Sequence, residues 1–330
     1  MKTLITGASG LVGSAVLRLL LDCGHDVRAM VRRGSNRANL SGLELEIVEG
    51  DLCDSGSLHN AVANCRYLFH IAADYRLWVP DPEQMYKANV EGTHNLLRHA
   101  TEHGVKKIVY TSSVATLGIH PDRSPANEDS PVSLNDMIGH YKRSKYLAEQ
   151  EVIKLVSDIG APVTIVNPST PIGPRDIKPT PTGRIIVDCL NGKIPAYVDT
   201  GLNIAHVDDV ARGHILALDK GKIGERYILG GDDMSLKEIL QKICEAGNRP
   251  SPKISIPHNL ILPFARLFEL WADMCGIEPL ATVDGIKMSK KHMFFSSRKA
   301  KEKLGYQSRP AHEAISDAIK WFQLNGYLSN

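Results

Sequence analysis

Apolar runs rich in β-branched residues alternate with amphipathic stretches through the first half of the chain. Runs such as Lys107-Ile108-Val109-Tyr110-Thr111 place apolar side chains at consecutive positions, which is typical of strands buried on both faces of a parallel sheet. The stretches between them carry apolar residues three and four apart, the spacing of a helix that packs on one side. This pattern predicts strands near 2–6, 27–31, 45–49, 67–71, 107–111 and 163–166, and helices near 11–23, 55–63, 83–103 and 141–159.

The order of these elements predicts an α/β fold, a Rossmann-type doubly wound parallel sheet. After Val166 the pattern changes, because five prolines fall between 167 and 183, too many for a regular element. The strand-like segment Arg226–Leu229 is expected to return to the main sheet, and helical patterns prevail from Ser235 onward. We therefore expect a large domain of residues 1–166 with a returning segment near 200–230, and a smaller, mainly helical C-terminal domain of residues 167–199 and 231–330.

Composition and charge point to a globular protein that acts on small molecules. Of the 330 residues, 23% are charged and 43% hydrophobic, and the net charge is +2. Without a concentrated basic face, no nucleic-acid partner is expected. The six cysteines lie far apart with no C-x-x-C pair, which predicts free thiols. No apolar stretch is long enough to predict an integral membrane span, and the first residues read as a strand rather than a secretory signal, so a cytoplasmic protein is expected.

A glycine motif follows the first predicted strand immediately and opens the first helix. It reads Gly7-Ala8-Ser9-Gly10-Leu11-Val12-Gly13. In such a strand–turn–helix unit the first glycine permits a tight turn, the second lets the backbone approach a pyrophosphate, and the third allows close helix–strand contact. The phosphates would lie at the helix N-terminus, where free N–H groups and the helix dipole favour an anion. The large domain is therefore expected to bind a dinucleotide, and the smaller one a substrate.

The end of the second predicted strand discriminates between the two nicotinamide dinucleotides. An acidic residue there binds the adenosine ribose, whereas an arginine accommodates a 2′-phosphate. This chain has Arg32 and Arg33 and no carboxylate through Asn36, which favours NADP and leaves NAD as the alternative. Asp51, which precedes Leu52 after the third strand, could accept a hydrogen bond from the adenine amino group; an ordinary turn residue is the other interpretation.

Three polar residues form a candidate catalytic group. Tyr141 and Lys145 are four apart at the start of a predicted helix, so their side chains project from one face. An ammonium near a phenol lowers the pKa of the phenol towards the range useful for proton transfer. Ser113, just after the fifth strand, could polarise a substrate carbonyl and orient the phenol. All three residues lie at strand ends or helix starts on the side expected for the cofactor.

Together these motifs resemble the extended short-chain dehydrogenases/reductases, the NAD-dependent epimerase/dehydratase family. Four more segments extend the resemblance over essentially the whole chain: His70-Ile71-Ala72-Ala73, Asn89-Val90-Glu91-Gly92-Thr93, Asn167-Pro168-Ser169 and His206-Val207-Asp208-Asp209-Val210. Within the family, the chain is most similar to dihydroflavonol-4-reductase-like proteins and to the bacterial hopanoid-associated sugar epimerase group. Asn167-Pro168 stands where the sugar epimerases often carry Arg-Pro, which favours the reductase-like branch.

The resemblance also implies a role for each matching residue. Tyr141 would be the general acid/base, Lys145 its electrostatic partner and a ribose ligand, and Ser113, rather than Ser112, the group that polarises the carbonyl. Asn89 would hold a proton-relay water. The cofactor-binding residues implied in this way, besides the glycine motif, Arg32, Arg33, Asp51, Leu52, Tyr141 and Lys145, are Ala72, Ala73, Pro168 and Ser169.

The candidates for substrate contacts carry weaker signals. Tyr75 and Trp78, with Arg76 between them, follow the fourth strand on a loop, and His206 matches a family segment beside the substrate pocket. Asp208 or Asp209 could instead simply cap a helix over Val210–Leu218. The very apolar segment Asn259–Trp271 is expected to form the buried face of the small domain; the alternative is a membrane-facing patch that gives weak membrane association and serves a hydrophobic substrate. His99 and His103 are four apart, but their helix is expected to face the sheet or solvent, so no metal site is predicted.

Three functions follow from these residues. The leading hypothesis is an NADP-dependent oxidoreductase of the dihydroflavonol-4-reductase-like type, which moves hydride between NADPH and a carbonyl or alcohol of a small-molecule substrate. The second is a nucleotide-sugar epimerase or dehydratase, linked to hopanoid biosynthesis, that keeps its NAD bound. The third is a non-catalytic dinucleotide sensor, against which Ser113, Tyr141 and Lys145 argue. A homodimer is the expected assembly.

Overall fold

The computed structural model describes residues 2–79, 81–275 and 282–328. Its strands are β1 (Lys2–Thr6), β2 (Asp26–Val31), β3 (Glu46–Glu49), β4 (Tyr67–His70), β5 (Lys107–Thr111), β6 (Val163–Pro168), β7 (Thr170–Ile172), β8 (Ala196–Tyr197), β9 (Gly201–His206), β10 (Arg226–Leu229), β11 (Asp232–Ser235), β12 (Ile254–Ser255) and β13 (His292–Met293). Its α-helices are α1 (Leu11–Asp22), α2 (Ser55–Val62), α3 (Pro82–Tyr86), α4 (Gly92–Glu102), α5 (Gly139–Ile159), α6 (Pro181–Leu190), α7 (Val207–Lys220), α8 (Leu236–Ala246), α9 (His258–Cys275), α10 (Val283–Ser289), α11 (Arg298–Leu304) and α12 (Ala311–Leu324).

The main sheet has seven strands in the order β3-β2-β1-β4-β5-β6-β10, and every neighbouring pair is parallel. This is the doubly wound Rossmann order, extended by one strand. The predicted fold class is therefore confirmed. The return of Arg226–Leu229 to the sheet, beside β6, agrees with the sequence-based expectation.

Two apolar layers cover the faces of this sheet. Helices α1, α7 and α11 pack on one face through side chains such as Leu17, Val210 and Leu304. Helices α2, α4 and α5 pack on the other through side chains such as Leu58 and Leu97. Because both faces are covered, the strands need apolar residues at consecutive positions, which is the pattern that the sequence shows.

The predicted helix over 83–103 is interrupted in the structure. Helix α3 passes into a π-helical turn over Lys87–Glu91 before α4 begins. Such single-turn π-bulges occur frequently at functional sites, and this one contains Asn89. Helix α5 begins at Gly139, two residues earlier than expected, and ends at Ile159. The following Gly160 has a φ of 66°, the left-handed conformation common just after a helix.

The remaining elements form a smaller layer. Strands β7, β9, β11 and β13 make a second sheet, and helices α6, α8 and α12 enclose one apolar core around Ile186, Ile243 and Phe322. Helix α11 belongs to the layer on the main sheet, since it packs on α7 and β10. The cysteines of the described residues are free thiols; Cys189 Sγ and Cys244 Sγ lie 3.3 Å apart between α6 and α8.

Helix α9 departs from the expectation of a buried apolar segment. Three of its side chains are more than half exposed: Leu260 at 62%, Leu267 at 61% and Trp271 at 56%. Ala265 is fully buried, so the helix does cover part of the small domain. No helix within the described part of the chain is both long and apolar enough to cross a membrane.

Candidate active site

The glycine motif forms a tight turn from β1 into α1. Gly7 has a φ of +75°, and a Cβ there would lie 2.7 Å from the Ala72 backbone nitrogen. A Cβ on Gly13 would lie 2.0 Å from the Gly7 carbonyl oxygen, whereas one on Gly10 would meet that oxygen only at 3.5 Å. The first turn of α1 carries no acidic residue and no side-chain cap. The turn therefore presents free N–H groups towards open space, as a pyrophosphate requires.

The buried histidine of the segment His70-Ile71-Ala72-Ala73 supports this turn. Thr6 Oγ1 accepts hydrogen bonds from the backbone of Ile71 and Ala72, both at 3.2 Å. It therefore donates its own proton to His70 Nδ1 at 2.8 Å, which leaves His70 Nε2 to donate to Thr93 Oγ1 at 2.9 Å. Burial lowers the pKa of His70 to about 3, so the imidazole is neutral. This chain of bonds holds the segment with Ala72 and Ala73 beside Gly7.

The two arginines after β2 lie at a cavity of about 490 Å³. Both arginine side chains are exposed. The cavity is lined by Arg32, Arg33, Gly34, Ser35, Glu49, Gly50, Asp51, Asp54 and Ser57.

The same cavity holds three carboxylates, and of these only Asp51 was a candidate in the sequence. Glu49 comes from the end of β3 and Asp54 from the N-cap of α2. Each already has a partner. Glu49 pairs with Arg37 at 2.7 Å, Asp51 Oδ1 accepts from the Cys53 backbone at 2.8 Å, and Asp54 Oδ1 accepts from the Gly56 backbone at 3.0 Å. The arginines have no such ion pair in the described residues. Asp51 is thus a turn residue that also lines the cavity, beside buried Leu52.

Ser113 and Tyr141 meet at the carboxyl end of β5. Ser113 caps a short 3₁₀ turn over Val114–Thr116, where its Oγ accepts from the Ala115 backbone at 3.1 Å. Burial raises the pKa of the Tyr141 phenol, and a hydrogen bond with the Ser113 side chain partly offsets this. The phenol is therefore protonated at neutral pH. The expected lowering of the phenol pKa is not seen in this structure.

The position of Lys145 gives the physical reason. Its Nζ donates to the Thr111 carbonyl oxygen at 2.9 Å and to Tyr110 Oη at 3.2 Å, so the ammonium is directed into the sheet. Burial lowers the pKa of Lys145 to about 8, and the charge of Glu149 opposes that shift. Lys145 lies one helical turn from Tyr141, as the spacing predicts, but its ammonium is hydrogen-bonded to residues of β5.

Asn89 has little hydrogen-bonding capacity left for a water. Its Nδ2 donates to the Asp74 carbonyl oxygen at 2.9 Å and to Ser144 Oγ at 3.0 Å, and its Oδ1 accepts from the Asp74 backbone at 2.7 Å. The side chain thus joins the loop after β4 to α5. A water could still use the second lone pair of Oδ1.

Pro168 is the last residue of β6, the strand that pairs with β5, and Ser169 follows it. Ser169 Oγ and Asn167 Oδ1 are buried without a hydrogen-bond partner among the described residues. Unpaired buried polar atoms are rare in native proteins, and a bound ligand, an ion or a water molecule can satisfy them. Their place at the carboxyl edge of the sheet suits the polar carboxamide of a nicotinamide, so the residues present fit a nicotinamide dinucleotide.

Of the three candidates for substrate contacts, the structure places two on one open loop. Tyr75 is 42% exposed, and its pKa is raised by partial burial and by the charges of Asp176 and Asp74. Trp78 is half-buried farther along the same loop. Asp176 lies in the loop before α6, where it is buried, and burial raises its pKa to about 6. The loop after β4 therefore faces the smaller layer.

His206 is fully buried and engaged at both ring nitrogens. Its Nδ1 accepts from the Asp208 backbone at 3.0 Å and from Arg309 at 2.9 Å, and its Nε2 lies 3.0 Å from Asp317 of α12. The imidazole itself caps α7, which begins at Val207.

The expected capping of a helix by Asp208 or Asp209 is therefore wrong. These two carboxylates bind Arg175 and Arg309 instead.

Comparisons with known proteins agree with this geometry. The model of the NAD dependent epimerase/dehydratase family matches residues 3–230. A candidate dihydroflavonol 4-reductase from Synechocystis sp. is 45% identical over 328 residues, which cover 98% of this chain and 95% of that protein. Sterol demethylase protein B from Methylococcus capsulatus is 34% identical over 330 residues, which cover 99% of this chain and all of that protein.

Solved structures are similar over the full length. The crystal structure of gox2253 is 54% identical with a TM-score of 0.90 and covers 99% of each chain. A nucleoside-diphosphate-sugar epimerase from Pseudomonas aeruginosa is 26% identical with a TM-score of 0.83, covering 100% of this chain and 99% of that one. Reductase-like relatives and sugar-modifying structures thus share this framework.

Proposed function

The chain belongs to the NAD dependent epimerase/dehydratase family of extended short-chain dehydrogenases/reductases, enzymes that act on CH–OH groups, and on that premise we propose that it is an NADP-dependent carbonyl reductase. The observation that carries this proposal is the Ser113–Tyr141 pair at the carboxyl end of β5, with Lys145 one helical turn further on. The 45% identical relative of dihydroflavonol 4-reductase type supports the same reaction class.

In this proposal the residues of the site move one proton and hold two ligands. A bound dinucleotide supplies the hydride. Tyr141, protonated because burial raises its pKa, donates its proton to the substrate oxygen, and Ser113 donates a hydrogen bond to the same oxygen. Lys145 holds the ribose and, as a cation, favours the phenolate that remains. Pro168 and Ser169 flank the nicotinamide, while Asn89 holds the loop after β4 and accepts from a relay water.

We propose NADP as the cofactor because the arginines at the adenosine cavity have no ion-pair partner in the described residues, whereas each of its carboxylates is held by an ion pair or by a backbone hydrogen bond. Fluorescence titration of the purified protein with NADPH and NADH at fixed ionic strength tests this choice. Tighter binding of NADPH is expected. Equal affinities would refute NADP specificity.

The second candidate function is nucleotide-sugar epimerisation or dehydration. It is supported by the 26% identical sugar-epimerase structure, which covers the whole chain. An epimerase keeps its dinucleotide through each turnover, while a reductase exchanges it. Denaturing the purified protein and identifying any released nucleotide separates the two: bound NAD would favour the epimerase, and nucleotide-free protein that oxidises NADPH with a carbonyl compound would favour the reductase. A protein that binds dinucleotide and turns over no member of either substrate class would be a sensor.

For the substrate, we propose a hydrophobic carbonyl compound related to hopanoid or other polycyclic lipids. The 34% identical relative bears the name sterol demethylase protein B, and Tyr75 and Trp78 offer aromatic surface beside the proposed site. Residues 167–199 and 231–330, without α11, would form the substrate domain. The exposed apolar side chains of α9 would provide weak membrane association in a cytoplasmic homodimer. NADPH oxidation with a panel of lipophilic ketones against water-soluble ones tests the substrate class.

A further inference from the structure

A buried acidic residue lies one helical turn beyond Lys145. The Glu149 side chain is 1% exposed. Its Oε2 is 2.9 Å from Asn167 Nδ2 and 2.9 Å from Thr116 Oγ1, and its Oε1 is 3.2 Å from Arg226 Nη1. Amide and guanidinium nitrogens can only donate, so this environment suits an ionised carboxylate.

The groups that bind Glu149 also bind the backbone of Ser113. Asn167 Nδ2 has two protons and lies 3.1 Å from the Ser113 carbonyl oxygen. Thr116 Oγ1 has a single proton, which it shares between that carbonyl oxygen, at 2.8 Å, and Glu149 Oε2, at 2.9 Å. The reverse orientation of the Asn167 amide would place its oxygen against two other acceptors, so the donors of Asn167 must face Glu149 and Ser113. Glu149 thus joins α5, β6 and β10 to the turn that carries Ser113.

Lys145 has few other charges near it. Tyr110 and Tyr141 are neutral phenols whose pKa values burial raises, and His70 is a neutral imidazole. Arg226 belongs to β10 and pairs with the carboxylate. Among the described residues, Glu149 is therefore the anion that counteracts the lowering of the Lys145 pKa by burial.

We propose that Glu149 is a positioning residue of this site: its carboxylate keeps the buried Lys145 cationic and, through Asn167 and Thr116, holds the turn of Ser113 in place. The proposal rests on the proposed dinucleotide site, because Lys145 can act there as a ribose ligand only while it is charged. It predicts that removing the negative charge changes the pH range in which the cofactor binds.

The test measures NADPH affinity by fluorescence from pH 6 to pH 10. In the wild type, affinity should fall as pH rises through the pKa of Lys145, and Lys145→Met should abolish this dependence. Glu149→Gln should move the midpoint of the fall to lower pH by roughly one to two units, the size of pKa shift that one nearby opposite charge causes. Glu149→Asp keeps the negative charge, so its midpoint should lie close to that of the wild type.

The matched control is Glu151→Gln, a carboxylate of the same helix that pairs with half-exposed His94; it should leave the midpoint unchanged. A merely structural role for Glu149 would weaken binding equally at every pH and is distinguished in this way. If Glu149→Gln does not fold, Arg226→Gln gives the opposite perturbation, since removing that cation should raise the midpoint.

Suppose that the wild type binds NADPH and that the midpoint is unshifted in Glu149→Gln, or in Arg226→Gln where that variant is used. This result would overturn the inference and leave the proposed function standing. A pH dependence that persists in Lys145→Met would also overturn it. Absence of binding of both NADPH and NADH to the wild type would refute the proposed function and this inference together.

Discussion

Replacing Gly10 and Gly13 separately by alanine distinguishes a glycine needed for the cofactor from one needed for the fold. A Cβ on Gly13 would lie 2.0 Å from the Gly7 carbonyl oxygen, which is backbone and cannot swing away. Overpacking of this kind costs about 1–3 kcal/mol or more, so Gly13→Ala should lower the free energy of unfolding by at least about 2 kcal/mol.

Gly10→Ala should behave differently. Its Cβ would meet only the Gly7 carbonyl oxygen at 3.5 Å, an ordinary contact, and the φ of −84° at this N-cap suits alanine. The cost in stability should stay within about 1 kcal/mol. The methyl group would occupy the space that the pyrophosphate approaches. Losing one charge-assisted hydrogen bond of about 1.5–3 kcal/mol weakens NADPH binding by roughly ten- to hundred-fold.

Urea unfolding followed by circular dichroism measures the stability of both variants, and fluorescence titration at fixed ionic strength measures their affinity for NADPH. Gly56→Ala is the control for stability, since its Cβ would contact only Asp54 Oδ1 at 3.4 Å. If Gly10→Ala bound NADPH within threefold of the wild type, the phosphates could not lie on this turn. If Gly13→Ala were as stable as the wild type, the close approach of α1 to β1 would be refuted.

Three further substitutions test other parts of the site. Tyr141→Phe should reduce turnover of the carbonyl substrate at least about 100-fold, the usual effect of removing a general acid, while NADPH affinity changes only a few-fold; turnover above a tenth of wild type would contradict the acid role. Arg32→Asp should weaken NADPH binding by roughly ten- to hundred-fold and leave NADH binding unchanged or improved, as titration of both cofactors would show; equal losses would count against a 2′-phosphate contact. His206→Ala should lower the free energy of unfolding by about 2–4 kcal/mol, because it removes a fully buried ring and the N-cap of α7, with KM unchanged; normal stability with a raised KM would instead make His206 a substrate contact.

The amino-acid sequence alone determined the fold class and the parts of the site that depend on local spacing. Consecutive apolar residues in each strand, as in Lys107–Thr111, require both faces of a sheet to be covered, and that requirement leads to crossover helices. The glycine motif and the interval between Tyr141 and Lys145 are likewise local, because one turn or one helix positions every group involved. Their predicted positions agree with the structure.

The tertiary structure decided what depends on residues far apart in the chain. Glu149 of α5, Asn167 near the end of β6 and Arg226 at the start of β10 converge although no local pattern connects them, because α5 packs on the face of the sheet beside these strands. The same convergence places Glu49 and Asp54 in the cavity of Arg32 and directs the Lys145 ammonium into β5.

His206 shows the limit of a local motif. The sequence contained two aspartates that could cap α7, yet the imidazole fills that position because Arg309 and Asp317, about a hundred residues away, fix its ring. Which of several polar groups accepts a hydrogen bond depends on the distances that packing sets. Sequence spacing constrains such distances within one helix or turn and leaves them open between elements.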